Sequence, residues 1–513
     1  MTTNHSYDYI IIGSGAAGAV IAYRLAQRPE LRVLLLEAGG PDDDPAIARL
    51  PVTSLFEIWK PELDWGLATE EDPGLGGRRM PIIQGRVLGG GTSVNGRIYL
   101  RGNRRDYDHW NFLGNEGWSY EQLLPYFRKF EDYEGGESTY HGAGGPMHIR
   151  EIIAPSEAAA TFVEAAVERG FQGMPWDFNG AEQAGAAGFT QSTTTRDGRR
   201  GNTAEAFIRP LLGKPNFSLE LHAHVTRVII EAGRAVGVEY TQHGERRQAR
   251  ADAEVIVSAG ALASPKLLML SGVGPADHLR AHGIEVIRDL PGVGENLQDH
   301  VLAPIGYAAT RTQRTPSIIC EATLFTHTSQ SLRAASPNLQ FFFGGFLFPH
   351  LGPTDQGFTI CPVVNQAHSV GNLRLRSARP DDAPIVRMNY FQAEQDMRVM
   401  LEGIRIAEDI VHAPAFNPLR GARLSPTPGV RTERELVEFV RAVAITDWHP
   451  SCSCKMGHDA MAVVDPRLRV HGVAGLRVAD ASIMPRIVNC NLNSTCLMIG
   501  EKAADLILAD RAG

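Results

Sequence analysis

Apolar residues first gather at Tyr9-Ile10-Ile11-Ile12, an unbroken run of the kind that forms a strand buried on both faces. From Tyr7 to Ala38 the pattern predicts a strand, a glycine-rich turn, a helix over Ala16 to Gln27 and a second strand, Arg32-Val33-Leu34-Leu35-Leu36. That is a βαβ unit. Further glycine clusters at residues 85 to 96, 257 to 274 and 290 to 296 each abut an apolar strand or a helical pattern, which marks tight turns on an α/β scaffold rather than flexible linkers. From about 300 to 440 shorter runs alternate, as in Asn338-Leu339-Gln340-Phe341-Phe342-Phe343 and Asn372-Leu373-Arg374-Leu375-Arg376. They predict a separate layer, a sheet with helices on one side.

A chain of 513 residues exceeds the size at which one core keeps growing, so two intertwined domains are expected. A formal charge of −8, from 50 Lys+Arg against 58 Asp+Glu, supplies no field for phosphate backbones or anionic lipid and argues against nucleic acid as a partner. No stretch reaches the apolar length of a transmembrane span, and no basic segment precedes the first strand as in a signal peptide. The expectation is a soluble, cytoplasmic protein. The six cysteines are expected to be thiols. Cys452 and Cys454 with His449 and His458 lack the second CxxC or His pair of a structural zinc site, so no metal is expected.

Gly13-Ser14-Gly15-Ala16-Ala17-Gly18 follows a strand directly and opens a helix, the context in which a GxGxxG binds a dinucleotide. The first glycine permits the turn, the second lets the backbone approach a pyrophosphate, and the third lets helix and strand pack closely. The free N–H groups of the helix N-terminus face the anion. Glu37, with Ala38 after it, ends the second strand nineteen residues beyond Gly18, where a carboxylate takes ribose hydroxyls. An acid there disfavours NADP, and the fingerprint alone leaves NAD and FAD open. Gly272-Val273-Gly274 and Gly292-Val293-Gly294 lack the third glycine of a second nucleotide site, so a flavin here draws its electrons from the substrate.

Gly-Arg-Val-Leu-Gly-Gly-Gly-Thr-Ser-Val-Asn-Gly at 85 to 96 and Gly-Ala-Leu-Ala-Ser-Pro-Lys-Leu-Leu-Met-Leu-Ser-Gly-Val-Gly at 260 to 274 resemble both signatures of the glucose-methanol-choline (GMC) oxidoreductases. Trp448 to Gly457 resembles that family's catalytic-histidine segment, and Gly475 to Ser482 its flavin-contacting segment. Among members the chain is most similar to the bacterial sorbose- and choline-dehydrogenase type. The resemblance implies an FAD-binding Rossmann-like α/β domain over 1–155, 195–300 and 440–513. A substrate domain of α+β type on an antiparallel sheet takes 156–194 and 301–439. It places Arg86, Gly89, Gly90, Thr92, Asn95 and Gly96 around the pyrophosphate and isoalloxazine, the Val225 backbone at the adenine, and Asp480 and Ala481 by the ribityl and pyrophosphate. Some members tether FAD through a histidine before the asparagine of the second loop; here that residue is Val94, so FAD is expected to be non-covalent.

Oxidising an alcohol needs a base for the hydroxyl proton beside an acceptor for the hydride. Histidine, with an ordinary pKa of about 6.5, suits the first task. The resemblance makes His449 that base and Asn491 its neighbour; the amide cannot ionise, so it is assigned to orienting the hydroxyl. His458 and His471 fall outside the matching positions and are expected at the surface. Phe341, Phe342, Phe343, Phe346 and Phe348 suit either a pocket wall or a buried strand face, and the strand is favoured. Arg374 and Arg376 alternate on one face and are expected to be solvated. The leading reading is an FAD-dependent alcohol dehydrogenase or oxidase, with a quinone, a dye or O2 as acceptor. The alternatives are a flavin-containing lyase or decarboxylase of the same fold, and a non-catalytic NAD-binding protein.

Overall fold

A computed structural model describes residues 6–49, 52–152, 154–430 and 432–512. Strand β1 (Ser6–Ile12) is buried through its last four residues and lies at the middle of the first sheet. Helix α1 (Ala16–Ala26) follows and closes with Gln27 as its C-cap; its buried side is built of small residues such as Ala17, Gly18 and Ala22, which lets it lie close on the strands. Strand β2 (Val33–Leu36) begins one residue later than expected because the Arg32 N–H is taken by the Asp8 carboxylate at 2.8 Å.

The sheet runs Phe217–Glu220, β2, β1, Glu245–Val257, Arg234–Gln242, Ala223–Glu231. The first four strands are mutually parallel and the last pairings antiparallel. The 13-residue strand Glu245–Val257 serves two neighbours on one edge: residues 245–250 pair with Arg234–Gln242, and Val255, Ile256 and Val257 pair in parallel with Leu476–Val478. The C-terminal part of the chain thereby returns to the first sheet.

A second sheet is antiparallel throughout, in the order Arg420–Ser425, Ile305–Ala309, Gly357–Val364, Leu339–Gly344, Ala322–Thr326, Ala187–Phe189. Helices Glu157–Glu168 and Glu394–Val411 pack against one face of it. The expected layer with helices on one side is therefore present. Its central strand Leu339–Gly344 is buried along its whole length. Among the described residues no helix is long and apolar enough to cross a membrane.

A short ladder sets the position of the loop around Trp448. Val301–Leu302 pairs antiparallel with Ile445–Thr446, and Gln298 bridges Ser451. Between those two contacts one strand advances three residues (301 − 298) and the other five (451 − 446). The surplus on the second strand bulges, and Trp448 takes a φ of +56° within it.

Candidate cofactor and catalytic site

An elongated cavity runs between the sheets from the end of β2 to the bulged loop, lined at one extreme by Glu37 and at the other by His449. At the first extreme Gly13 adopts a φ of +100°, and a Cβ on it would lie 2.4 Å from the Ser258 carbonyl oxygen. A Cβ on Gly18 would lie 2.0 Å from the Gly13 carbonyl oxygen, so helix and turn close only on a glycine. Gly15 and Ala16 line the cavity, and Gly15 begins α1 without a side-chain cap. The first-turn N–H groups thus remain for an anion.

Glu37 and Ala38 line the same end. The Glu37 carboxylate accepts from the Ser14 N–H at 3.0 Å, the Ser14 hydroxyl at 2.6 Å and the Gly39 N–H at 2.8 Å. Burial pushes this carboxyl above the usual carboxylate range, and those donors oppose the shift without cancelling it. Val225 closes the end from the edge strand Ala223–Glu231.

Four of the predicted cofactor positions, Ser14, Gly18, Arg86 and Gly89, lie behind the cavity wall or beside it. Ser14 is buried; its hydroxyl, bound to Glu37, also accepts from the Gly89 N–H at 2.9 Å, so Ser14 and Gly89 pin the two glycine-rich turns together. Arg86 is exposed, its guanidinium 5.0 Å from the Trp65 ring centroid, outside the lining. Gly90, Thr92, Asn95 and Gly96 do face the cavity, and so does Val94, at the tether position. Asp480 and Ala481 line the opposite wall. One Asp480 oxygen takes the Gly260 N–H at 2.8 Å and the Ser264 hydroxyl at 2.5 Å, the other the Ser482 N–H at 2.8 Å, so this carboxylate ties three segments.

The lining suits a dinucleotide. The Cβ positions of Gly15 and Gly91 meet no protein atom within 4 Å, leaving an unfilled cradle beside two helix starts, with an acid at one end of the cavity and aromatic rings at the other.

At the far end, the ladder sets His300 against the bulge carrying Asp447, Trp448 and His449. His449 Nδ1 lies 2.9 Å from His300 Nδ1 and 3.1 Å from Asp447 Oδ2, while Nε2 lies 3.3 Å from Asn491 Nδ2. Asp299 accepts the His449 backbone N–H at 2.8 Å; its other oxygen takes the Tyr390 and Thr446 hydroxyls at 2.5 Å each, which fixes the loop. Burial raises the Asp299 carboxyl to about 6 despite these donors. Burial also works against a charged His449, but the Asp447 carboxylate, with Asp299 behind it, outweighs burial and holds its pKa above the ordinary value. His300 goes the other way: burial, then the charge of His449, pushes it well below and keeps it neutral.

The aromatic run divides by strand alternation. Phe342, with Gly344, Thr359 and Cys361, faces the cavity, joined by Phe346 and Phe348. Phe343 points the other way and stacks on Phe162 at 4.8 Å, so the strand-face reading holds for Phe341 and Phe343 and the pocket reading for the rest. His458 is exposed as expected. His471 is not a surface residue: it is half-buried and holds the Gly457 carbonyl at 3.1 Å. Arg374 and Arg376 lie outside the lining, but both are ion-paired, with Glu295 and Glu70, rather than merely solvated. Among the described residues the group of three or more metal-ligand types within reach of one another is His300, Asp447 and His449; Cys452, Cys454 and His458 do not join it. Asp299, His300 and Asp447 escaped the sequence reading, although Asp447 stands two residues before His449 and Asp299-His300 closes the segment after the fourth glycine cluster.

Family profiles described as GMC oxidoreductase match residues 7–302 and 367–500. The chain belongs to the GMC oxidoreductase family. It is similar to an oxygen-dependent choline dehydrogenase of Brucella anthropi, 39% identical over 98% of this chain and 95% of that protein. It is likewise similar to oxygen-dependent choline dehydrogenase 1 of Chromohalobacter salexigens, 40% identical over 99% and 96%. Of solved structures, a pyridoxine 4-oxidase from Mesorbium loti superposes with a TM-score of 0.91 at 30% identity, covering 98% of this chain and 99% of that one. A formate oxidase of Aspergillus oryzae RIB40 gives 0.90 at 26%, covering 99% of each. This GMC oxidoreductase is accordingly an FAD-dependent enzyme acting on alcohols.

Proposed function

We propose that this GMC oxidoreductase holds FAD without a covalent bond and oxidises an alcohol to an aldehyde or ketone, with His449 as base and Asn491 orienting the hydroxyl. Residues 1–155, 195–300 and 440–513 form the cofactor half in this reading, and 156–194 with 301–439 the substrate half. The observation that carries it is the pairing of His449 Nε2 with Asn491 Nδ2 at 3.3 Å in the wall of the cavity that begins at the dinucleotide turn. Asn491 stands beside that nitrogen, and its amide has a second N–H to donate to the oxygen of a substrate hydroxyl whose proton is directed at Nε2. His449 Nε2 takes the hydroxyl proton as the carbonyl forms. FAD, when bound, supplies the acceptor for the hydride leaving the carbinol carbon. Around the cofactor, Gly15, Ala16, Glu37, Gly90, Asn95 and Asp480 are the residues proposed to hold it.

Val94 offers no nucleophile, which supports release of intact FAD on denaturation. The names of the relatives support O2 as acceptor ahead of a quinone or dye, and support including choline among the alcohols tried. The retained His449 and Asn491 weigh against a lyase or decarboxylase of this fold.

The test is an anaerobic absorbance screen of the purified protein against choline, pyridoxine and benzyl alcohol, followed by admission of air. His449→Ala is expected to keep FAD and to slow flavin reduction by about 10²–10⁴-fold, the share a positioned base supplies. Reduction of that variant at the wild-type rate would remove His449 from the role.

A further inference from the structure

His449 is approached at both ring nitrogens by groups whose hydrogen-bonding sense is fixed. The Asn491 amide nitrogen, 3.3 Å from Nε2, has only N–H to offer, so Nε2 is the accepting nitrogen of the neutral ring. The proton of neutral His449 then sits on Nδ1. That nitrogen faces His300 Nδ1 at 2.9 Å, and two ring nitrogens so close require one N–H and one lone pair. His300 must be the acceptor, which places its own proton on Nε2. The backbone carbonyls of Val488 and Asn365 act on the His300 ring and suit an N–H there, although neither reaches hydrogen-bond geometry with Nε2. All bonds across the pair therefore run in one direction, from Asn491 to His449 at one end and from His449 to His300 at the other.

Asp447 adds a charge to this arrangement. Its Oδ2 is buried with no hydrogen-bond partner and stands 3.1 Å from the same Nδ1. A carboxylate oxygen without a donor is costly in such a place unless a positive charge forms beside it. That charge forms when Nε2 takes a proton.

We propose that His300 and Asp447 are positioning residues for His449, His300 fixing the tautomer that leaves Nε2 without a proton and Asp447 holding the imidazolium that proton uptake creates. The inference rests on His449 being the base. The direction of the histidine shifts agrees with it, since His300 is kept neutral while His449 is held above the ordinary value. The other titratable groups near the pair fit the same account. Asp299 binds the His449 backbone rather than its ring, Tyr390 reaches in only through Asp299, and Cys320 and Cys361, beside Asp447, are held as thiols by burial.

The test is a pH titration of ¹⁵N-histidine-labelled holoenzyme by NMR, with the His449 signals assigned by their loss in His449→Ala. In the wild type, the neutral ring is expected to carry its proton on Nδ1 and to titrate above the ordinary histidine value. In Asp447→Asn, which keeps an amide in place of the carboxylate and removes only the charge, the midpoint is expected to move to lower pH with the tautomer kept. Asp447→Glu is expected to move it back. His300→Phe, which removes the acceptor, is expected to yield a mixture of tautomers; should that variant not fold, Asp447→Asn alone decides. A wild-type ring protonated on Nε2, or an unchanged midpoint in Asp447→Asn, overturns the proposal. Fast flavin reduction by His449→Ala would instead sink the base assignment itself, so the two failures are told apart.

Discussion

Two glycines of one motif are predicted to weaken FAD binding with opposite effects on the stability of the apoprotein. Gly15 has φ −64° and ψ −168°, extended backbone that alanine adopts without strain, and its Cβ would meet no protein atom within 4 Å. Gly15→Ala removes freedom from the unfolded chain only, so the apoprotein should gain about 0.4–1 kcal/mol. The new methyl, however, points into the cavity lined by Gly15 and Ala16, where the cofactor is proposed to lie. Relieving such an overlap costs about 1–3 kcal/mol, or roughly 5–150-fold in FAD dissociation constant. Gly18→Ala meets protein instead: its Cβ would stand 2.0 Å from the Gly13 carbonyl, and reaching an ordinary contact of about 3.2 Å needs a shift of roughly 1.2 Å between helix and turn. That variant should lose about 1–3 kcal/mol of apoprotein stability as well as FAD. Guanidinium unfolding of both apoproteins, with fluorescence titration by FAD, separates the cases. Wild-type FAD affinity in a stably folded Gly15→Ala would show that no cofactor rests on that turn.

Glu37→Ala strands the Ser14 and Gly39 N–H donors and should cost about 1–3 kcal/mol. It should also shorten FAD retention in gel filtration while leaving flavin reduction in the remaining holoenzyme unchanged; equal retention would deny the ribose contact. Phe343→Ala, in the packing against Phe162, should cost about 3–5 kcal/mol in unfolding experiments. Phe342→Ala, on the cavity face, should cost less and act mainly on KM; the reverse ranking would mean that the faces are misassigned.

In the first sheet the βαβ unit was legible because its evidence is local, whereas the strands Phe217–Glu220, Ala223–Glu231, Arg234–Gln242, Glu245–Val257 and Leu476–Val478 were not foreseen. Apolar runs such as Ile10-Ile11-Ile12 fit only a strand buried on both faces, and Gly13 and Gly18 answer to steric demands that a spacing of five residues already contains. The second sheet was legible as a layer but not as an order, since Ala187–Phe189 pairs with Ala322–Thr326 more than 130 residues away and no local pattern announces that partner. The phenylalanine run was undecided for a related reason. Both faces of the strand are apolar, so composition could not show that residues 342 and 343 look in opposite directions, although strand alternation required it.

At the site, motif matching named positions without saying which way they face. Ser14 and Gly89 are needed because they join two turns to Glu37, and a spacing rule cannot tell that from touching a ligand. The larger omission was His300, 149 residues from His449 and brought to it by a ladder of a few residues. The unequal three-against-five count in that ladder is what lifts Asp447 and His449 out of the strand pairing, so the two histidine rings meet instead of lying in register. The base proposed for this site, with its tautomer set across such a bulge, is sensitive to backbone register. Asp299 meets that need by holding the His449 N–H and the Tyr390 and Thr446 hydroxyls with one buried carboxyl. The aspartate next to His300 in the chain is thus the one that fixes the backbone, and the residues proposed to govern the proton, His300 and Asp447, are ones that no motif drew attention to.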